Sequence, residues 1–219
     1  MLMGIVTVSL YYSLASKLKF YYTDIKNNFS DDNKYLAVVT DSGLWLKDEV
    51  NNSTLIVKAN YIKDNALAWA VYYEDEKIID SINIRNATLS AMHRSIQNII
   101  STLKQNEQIC NEFYLLVDGN DFKPYTYINE DQIEHCSHVT IKGGDNLYTS
   151  IAAASILAKV SRDEFITKLC EEHPDLQERY GIASNKGYGA KRHMDGIREY
   201  GITEWHRKTY GICKTYVKD

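Results

Sequence analysis

The stretch Lys142-Gly143-Gly144-Asp145-Asn146-Leu147-Tyr148-Thr149-Ser150, running into Ile151-Ala152-Ala153-Ala154-Ser155-Ile156-Leu157-Ala158-Lys159, decides how this chain is read. A glycine pair delivers one carboxylate, a short polar turn follows, and Thr149 or Ser150 is placed to cap a helix by accepting a bond from its orphan amides. The helix is small-faced. Ala152, Ala153, Ala154, Ser155 and Ala158 carry little bulk, so its backbone can lie close to another element, while Ile151, Ile156, Leu157 and Phe165 supply apolar area. Asp145 is therefore expected at a fixed place just ahead of a tightly packed helix. A loop Asp before an ordinary core helix reads the same way, and what adds meaning is a second carboxylate upstream.

That second acid is Asp118. Phe113-Tyr114-Leu115-Leu116-Val117 is a continuous apolar run, as expected of an inner parallel strand covered on both faces, and it ends in Asp118-Gly119. Before it, Leu89, Met92, Ile96, Ile99, Ile100 and Leu103 fall on one stripe of a helix, with Asn86 or Thr88 as its cap. After it, Val139-Thr140-Ile141 forms a short strand leading to Lys142. Helix followed by buried strand implies a crossover connection and a parallel second half. Asp118 and Asp145 would then both stand where strands give way to loops, the edge at which open α/β sheets bind ligands.

The first half reads differently. Tyr35-Leu36-Ala37-Val38-Val39-Thr40 looks like a buried strand ending at Asp41-Ser42-Gly43, Thr54-Leu55-Ile56-Val57 with Ala59 and Tyr61 like a second extended run, and Ala66 through Tyr73 like a third. Short links between them suggest an antiparallel start. Trp45 to Glu49 reads as a turn or short helix, Asn27 to Asn33 as a loop, and Gly4 to Leu10 as a strand or a terminus. The opening apolar run lacks a basic flank and is too short to span a bilayer. From Pro174 onward the composition is polar and loop-rich until a helix from about Ala190 to Tyr200, closed by Gly201. The expected organisation is an N-terminal segment over 1–33, an α/β core over 34–173 and a C-terminal helical region over 174–219.

With 219 residues the chain can bury one full core. Its formal net charge of -4 argues against indiscriminate coating of nucleic acid but permits a local basic face. Such a face lies between Lys186 and Lys208, where Lys191, Arg192, Arg198 and Arg207 join those two against Asp195, Glu199 and Glu204. Phosphates are drawn to it. Within it Tyr188, flanked by Gly187 and Gly189, can present its ring to a sugar or base; a solvated charged helix beside a Gly-Tyr-Gly turn is the plainer alternative. Cys110, Cys136, Cys170 and Cys213 form no C-x-x-C pair, which suits buried thiols in a reducing compartment. His135-Cys136-Ser137-His138 has no matching second ligand pair for zinc. His206 would touch phosphate or fix the tail, and His93 and His173 read as helix-surface residues. P-loop, G-x-S-x-G and dinucleotide signatures are missing from the sequence, which weakens NTPase, serine-hydrolase and dehydrogenase readings. Paired carboxylates without His or Cys are hard oxygen ligands, suited to Mg²⁺ or Mn²⁺ and hence to phosphodiester chemistry.

Taken together these residues resemble the ribonuclease HII family. The resemblance runs from about Ala66 to Tyr210. It rests on Ala66-Leu67-Ala68-Trp69-Ala70-Val71, Ile82-Asn83-Ile84 with Ala87-Thr88 and Ala91-Met92, Leu116-Val117-Asp118-Gly119-Asn120, and Lys142 to Asp145. It continues through Ser150 to Lys159 with Arg162-Asp163, Asn185 to Gly189 with His193, and His206-Arg207. It implies a ribonuclease H-like mixed sheet flanked by helices, and an endonuclease that cuts the RNA strand of RNA–DNA hybrids, or DNA with embedded ribonucleotides, leaving 3'-hydroxyl and 5'-phosphate ends. By resemblance, Asp118 and Asp145 are catalytic and hold Mg²⁺ or Mn²⁺, Tyr188 packs where RNA meets DNA, and Lys186 and Arg207 join it in binding substrate. A cytoplasmic monomer without membrane contact is the matching expectation.

One part departs from the family. Its members open with Asp-Glu-Ala-Gly-Arg-Gly on a first strand whose two acids complete the metal site, yet residues 1–23 here hold no Asp or Glu. If Tyr35 to Asp41 is that first strand, Asp41 is a third ligand; if Asp41-Ser42 instead matches a later Asp-Ser-Lys-Lys segment, the first strand falls near Gly4 to Tyr12 and brings no acid. Gly144 is also one residue more than the commonest Lys-Gly-Asp form. Two functions therefore stand side by side: a working metal-dependent hybrid endonuclease, and a catalytically impaired hybrid-binding or assembly protein. A junction resolvase on the same broad fold is a more distant third.

Overall fold

A computed structural model of the chain describes residues 4–10, 35–41, 52–105, 113–129 and 132–217. The elements run β1 (Gly4–Leu10), β2 (Tyr35–Asp41), α1 (Asn52–Asn65), β3 (Ala68–Glu74), α2 (Glu76–Gln105), β4 (Phe113–Asp118), β5 (Thr126–Asn129), β6 (Gln132–His135) and β7 (Ser137–Ile141). A 3₁₀ turn (Gly144–Asn146) follows, then α3 (Thr149–Glu172), α4 (Pro174–Tyr180), α5 (Ile182–Asn185), α6 (Lys191–Tyr200) and a closing 3₁₀ helix (Gly211–Tyr216). Five strands form one mixed sheet in the order β3-β1-β2-β4-β7. β1 is antiparallel to both neighbours, and β2, β4 and β7 run parallel. The antiparallel start and parallel second half expected from the sequence are both present.

Alternation along β4 explains why its apolar run is unbroken. Leu115 and Val117 point into one layer with Ala68 and Ala70 of β3 and with Leu89, Met92, Ile96 and Ile99 of α2. Leu116 points the other way, onto Ile151 and Ala154 of α3. On that second face Ala153, Leu157 and Val160 of α3 also meet Ala59 and Ile62 of α1. The sheet is thus sandwiched between α2 and the α1–α3 pair, and each fully buried Leu or Ile in these layers stabilises the fold by about 1.5–3 kcal/mol. The small residues of α3 allow this: Ala154 and Ala158 have no measurable exposure at all.

Several local expectations are overturned. Thr54 to Val57 with Ala59 and Tyr61 is helical, lying within α1, because Ala59 and Ile62, three residues apart, dock together on α3. The segment after Pro174 is helical too, as α4 and α5. Thr149 and Ser150 lie inside the first turn of α3, whose N-cap is the extended Tyr148 without a side-chain bond. The stripe that begins at Leu89 is capped by Asn83, whose Oδ1 accepts from the Asn86 amide at 3.1 Å. Asn83 breaks α2 there, at φ 67° and ψ 163°. The hairpin of β5 and β6 gave no clear signal in the sequence. Trp45 to Glu49, Asn27 to Asn33 and Cys110 lie outside the described residues, whereas Cys136, Cys170 and Cys213 are buried free thiols.

Candidate functional site

Asp118 is the last residue of β4 and lies opposite Ile141, the last residue of β7. From Ile141 the chain turns through Lys142 and the left-handed Gly143, and the Gly144 amide donates to Asp118 Oδ1 at 2.8 Å. One residue on, Asp145 is buried at 7% exposure, Asp118 at 3%. Two acids far apart in sequence are thereby brought to one turn at the carboxyl edge of the parallel strands. The residue between them is tightly enclosed. A Cβ on Gly144 would lie 2.5 Å from Ile151 Cδ1 and 3.4 Å from Asp118 Oδ1, so a larger residue here would have to push aside the tip of the buried Ile151 side chain.

Asp41 ends β2, and with Val39 opposite Val117 in parallel register it stands at the same sheet edge as Asp118. Among the described residues no group of three or more His, Cys, Asp or Glu side chains is placed to hold a metal. The donors that are in place, two buried carboxylates, have the hard oxygen chemistry of a Mg²⁺ or Mn²⁺ site and fit part of its ligand set. Asn146 Nδ2 donates to Asp145 Oδ1 at 3.0 Å and helps orient it.

Lys186 and Tyr188 belong to a second locus, built on the side of α3. Lys186 has a left-handed backbone at φ 51°, its Nζ donates to Thr167 Oγ1 at 3.1 Å, and its carbonyl accepts from Arg162 Nη2 at 2.6 Å. The Arg162 guanidinium sits 4.8 Å from the centroid of the Tyr188 ring. Tyr188 itself is half-buried. Its carbonyl accepts from His193 Nδ1 at 2.9 Å, which assigns that proton and leaves His193 Nε2 as an acceptor.

His206 supplies the matching donor. The two Nε2 atoms are 3.1 Å apart, and His206 Nδ1 accepts from the Thr203 amide at 3.0 Å, so the two rings are neutral and of opposite tautomer. Burial lowers the His193 pKa and pushes that of His206 down to about 3. His206 therefore fixes the tail; it is not a surface phosphate contact. His93, read as a helix-surface residue, is half-buried with a ring nitrogen 2.8 Å from the Lys123 carbonyl. Arg207 was expected to face substrate, yet it is only 3% exposed. Its guanidinium lies 4.3 Å from the Tyr210 ring centroid, and burial lowers its pKa. Next to it Asp80 of α2 accepts from the amides of Lys208 and Thr209 at 2.7 and 3.0 Å, pinning the tail to the core. Arg162 and His193 lie in the quoted motifs without a role, because their partners are backbone carbonyls, Lys186 at 24 residues' distance and Tyr188 at five, which no side-chain pattern announces. A charged residue amid the buried positions of α3 was the available clue.

The fold is shared with the solved ribonuclease H2 from Pyrococcus horikoshii OT3, at a TM-score of 0.56 and 17% identity over 77% of each chain. The ribonuclease HII family profile matches residues 48–213, a stretch that contains Asp118, Asp145, Lys186, Tyr188 and Arg207 and begins after Asp41. The ribonuclease HII of Christiangramia forsetii is 43% identical over 157 residues, covering 72% of this chain and 69% of the relative. That of Phocaeicola vulgatus is 38% identical over 192 residues, covering 88% and 78%. The chain belongs to the ribonuclease HII family, a family of endoribonucleases.

Proposed function

We propose that this chain is an endonuclease that hydrolyses the RNA strand of RNA–DNA hybrids, including single ribonucleotides embedded in DNA, and leaves 3'-hydroxyl and 5'-phosphate ends. The observation that carries the reading is the bond from the Gly144 amide to Asp118 Oδ1, which holds the Asp145 turn against the end of β4. In this reading Asp118 and Asp145 hold Mg²⁺ or Mn²⁺, with Asp41 as a further ligand at the same edge. When bound, such ions supply activation of water and neutralisation of charge on the scissile phosphate. The protein's own share is placement: β4 and β7 fix the two carboxylates, Asn146 orients one of them, and Tyr188 with Lys186 receives the duplex. Arg207, below the surface, serves this locus by ordering the tail. The core over 34–173 would carry the chemistry and residues 174–219 the grip on substrate.

A second reading is favoured by one sequence fact, the lack of any Asp or Glu among residues 1–23, where the family's first-strand acids would be sought. In that reading the protein binds hybrids without cutting them. A duplex with one embedded ribonucleotide separates the two. Wild type is expected to cut it only with divalent metal, while Asp118→Asn and Asp145→Asn bind it with nearly unchanged affinity and do not cut. Binding without metal-dependent cutting by wild type selects the second reading, and normal cutting by Asp145→Asn overturns the metal assignment.

A further inference from the structure

Tyr188 is held from beneath by a residue that the sequence reading left without a role. Arg162 lies on α3, is 3% exposed, and reaches the 186–188 turn in two ways at once. Its Nη2 donates to the Lys186 carbonyl at 2.6 Å, and its guanidinium carbon stands 4.8 Å from the Tyr188 ring centroid. The first contact ties the turn, which passes through left-handed Lys186 and Gly187 at φ 51° and 76°, to α3, adding to the turn's own bonds from the Gly187 amide to Asn185 Oδ1 and from the Tyr188 amide to the Asn185 carbonyl. The second fixes the ring by placing a cation against its electron-rich face.

We propose that Arg162 is the positioning residue for Tyr188: by holding the turn and the ring together it sets the aromatic surface on which the nucleic acid rests. This rests on the reading of Tyr188 as a substrate contact. Burying a guanidinium is costly unless its donors are used, and here the bond from Nη2 to the Lys186 carbonyl and the ring contact offset part of that cost. Lysine lacks the planar fork needed to serve the carbonyl and the ring together, so Arg162→Lys is an informative partial replacement. Arg162 also approaches Asp163 Oδ1 at 4.0 Å, but Asp163 is served by Lys159 Nζ at 2.8 Å, so that carboxylate keeps its partner when Arg162 is changed.

The test is a double-mutant cycle of Arg162→Met and Tyr188→Ala, with Arg162→Lys alongside, on a short duplex carrying one embedded ribonucleotide. KM and kcat are measured separately, and amide hydrogen exchange over residues 185–190 is followed in the free protein. Arg162→Met is expected to raise KM about tenfold, the effect of losing a charged hydrogen bond and a ring contact, with kcat within about threefold. The double variant should be no worse than the poorer single one, and Arg162→Lys should fall between wild type and Arg162→Met. Exchange should quicken at 185–190 while α2 stays protected. Additive losses, or a fall in kcat at constant KM, overturn the proposal. If Arg162→Met does not fold, Arg162→Lys decides: a wild-type KM in that variant overturns it. Should wild type fail to bind the duplex at all, the substrate reading falls by itself, and exchange still judges Arg162: quickening confined to 185–190 supports its hold on Tyr188, and none removes it.

Discussion

His206 carries the most testable consequence at the scale of single residues. Its folded pKa of about 3 lies far below the ordinary value of 6.5, so between those limits the unfolded chain binds a proton that the folded chain refuses. Stability is therefore full above pH 6.5 and drains away as pH falls toward 3, by up to about 1.4 kcal/mol per pH unit. His193 shifts in the same direction and adds to the slope. Thermal midpoints of wild type and His206→Asn at pH 7.5 and pH 5 should converge as acid is added, the wild type losing more; parallel curves would show that the ring is not held neutral by the fold. Asp118 and Asp145 were legible in sequence only as a pair, because each ends a strand run at a loop, whereas either acid alone reads equally well as an ordinary turn residue. His193, Arg162 and the burial of Arg207 were not. Their partners are a carbonyl, a tyrosine ring and another buried ring, and no local pattern announces those.

Among the elements, α2 shows how a residue can be recognised and its job missed. The heptad-like stripe from Leu89 to Leu103 is plain from spacing alone, but the cap sits three residues before Asn86, at a backbone conformation that L residues seldom adopt. Asparagine meets one demand by offering Oδ1 to the Asn86 amide, while its φ of 67° with ψ of 163° falls where glycine alone sits at ease. Asn83→Ala removes the cap and keeps the backbone strain, so urea unfolding should show a loss of about 1–3 kcal/mol. Asn83→Gly loses the cap but gains conformational ease, and its loss should be under half as large. Equal losses would mean that the angle carries no strain. The misreading of Thr54 to Val57 has a different origin. A run of Thr, Leu, Ile and Val resembles a strand locally, and only the docking of Ala59 and Ile62 on α3 makes it a helix.

Over the whole molecule, α3 belongs to two cores. Its first half, through Ile151, Ala154 and Leu157, completes the sheet. Its second half, through Ile166, Leu169 and Cys170, forms a cluster with Leu176, Tyr180, Ile182, Ile197 and Cys213. The expected boundary after residue 173 thus falls beside a shared helix, and a chain ending at His173 would expose three buried apolar side chains along it. Such a truncation should be insoluble or melt well below the full chain in circular dichroism; a soluble fragment with an unchanged melting temperature would show that the two regions fold independently. The broad α/β order was legible because strand and helix periods differ so clearly in the second half. The strand order β3-β1-β2-β4-β7 was not, since order across a sheet is set by pairing and leaves no periodic trace.

One further consequence follows from the unbroken run of α3 between the turn that bears Asp145 and the guanidinium under Tyr188. Adding a single residue between positions 150 and 161 would swing everything beyond it by about 100° and slide it about 1.5 Å, unseating Arg162 while leaving both acids in place. Insertions and deletions are tolerable in the β5–β6 hairpin, but here length itself is under constraint, much as the graduations of a ruler are.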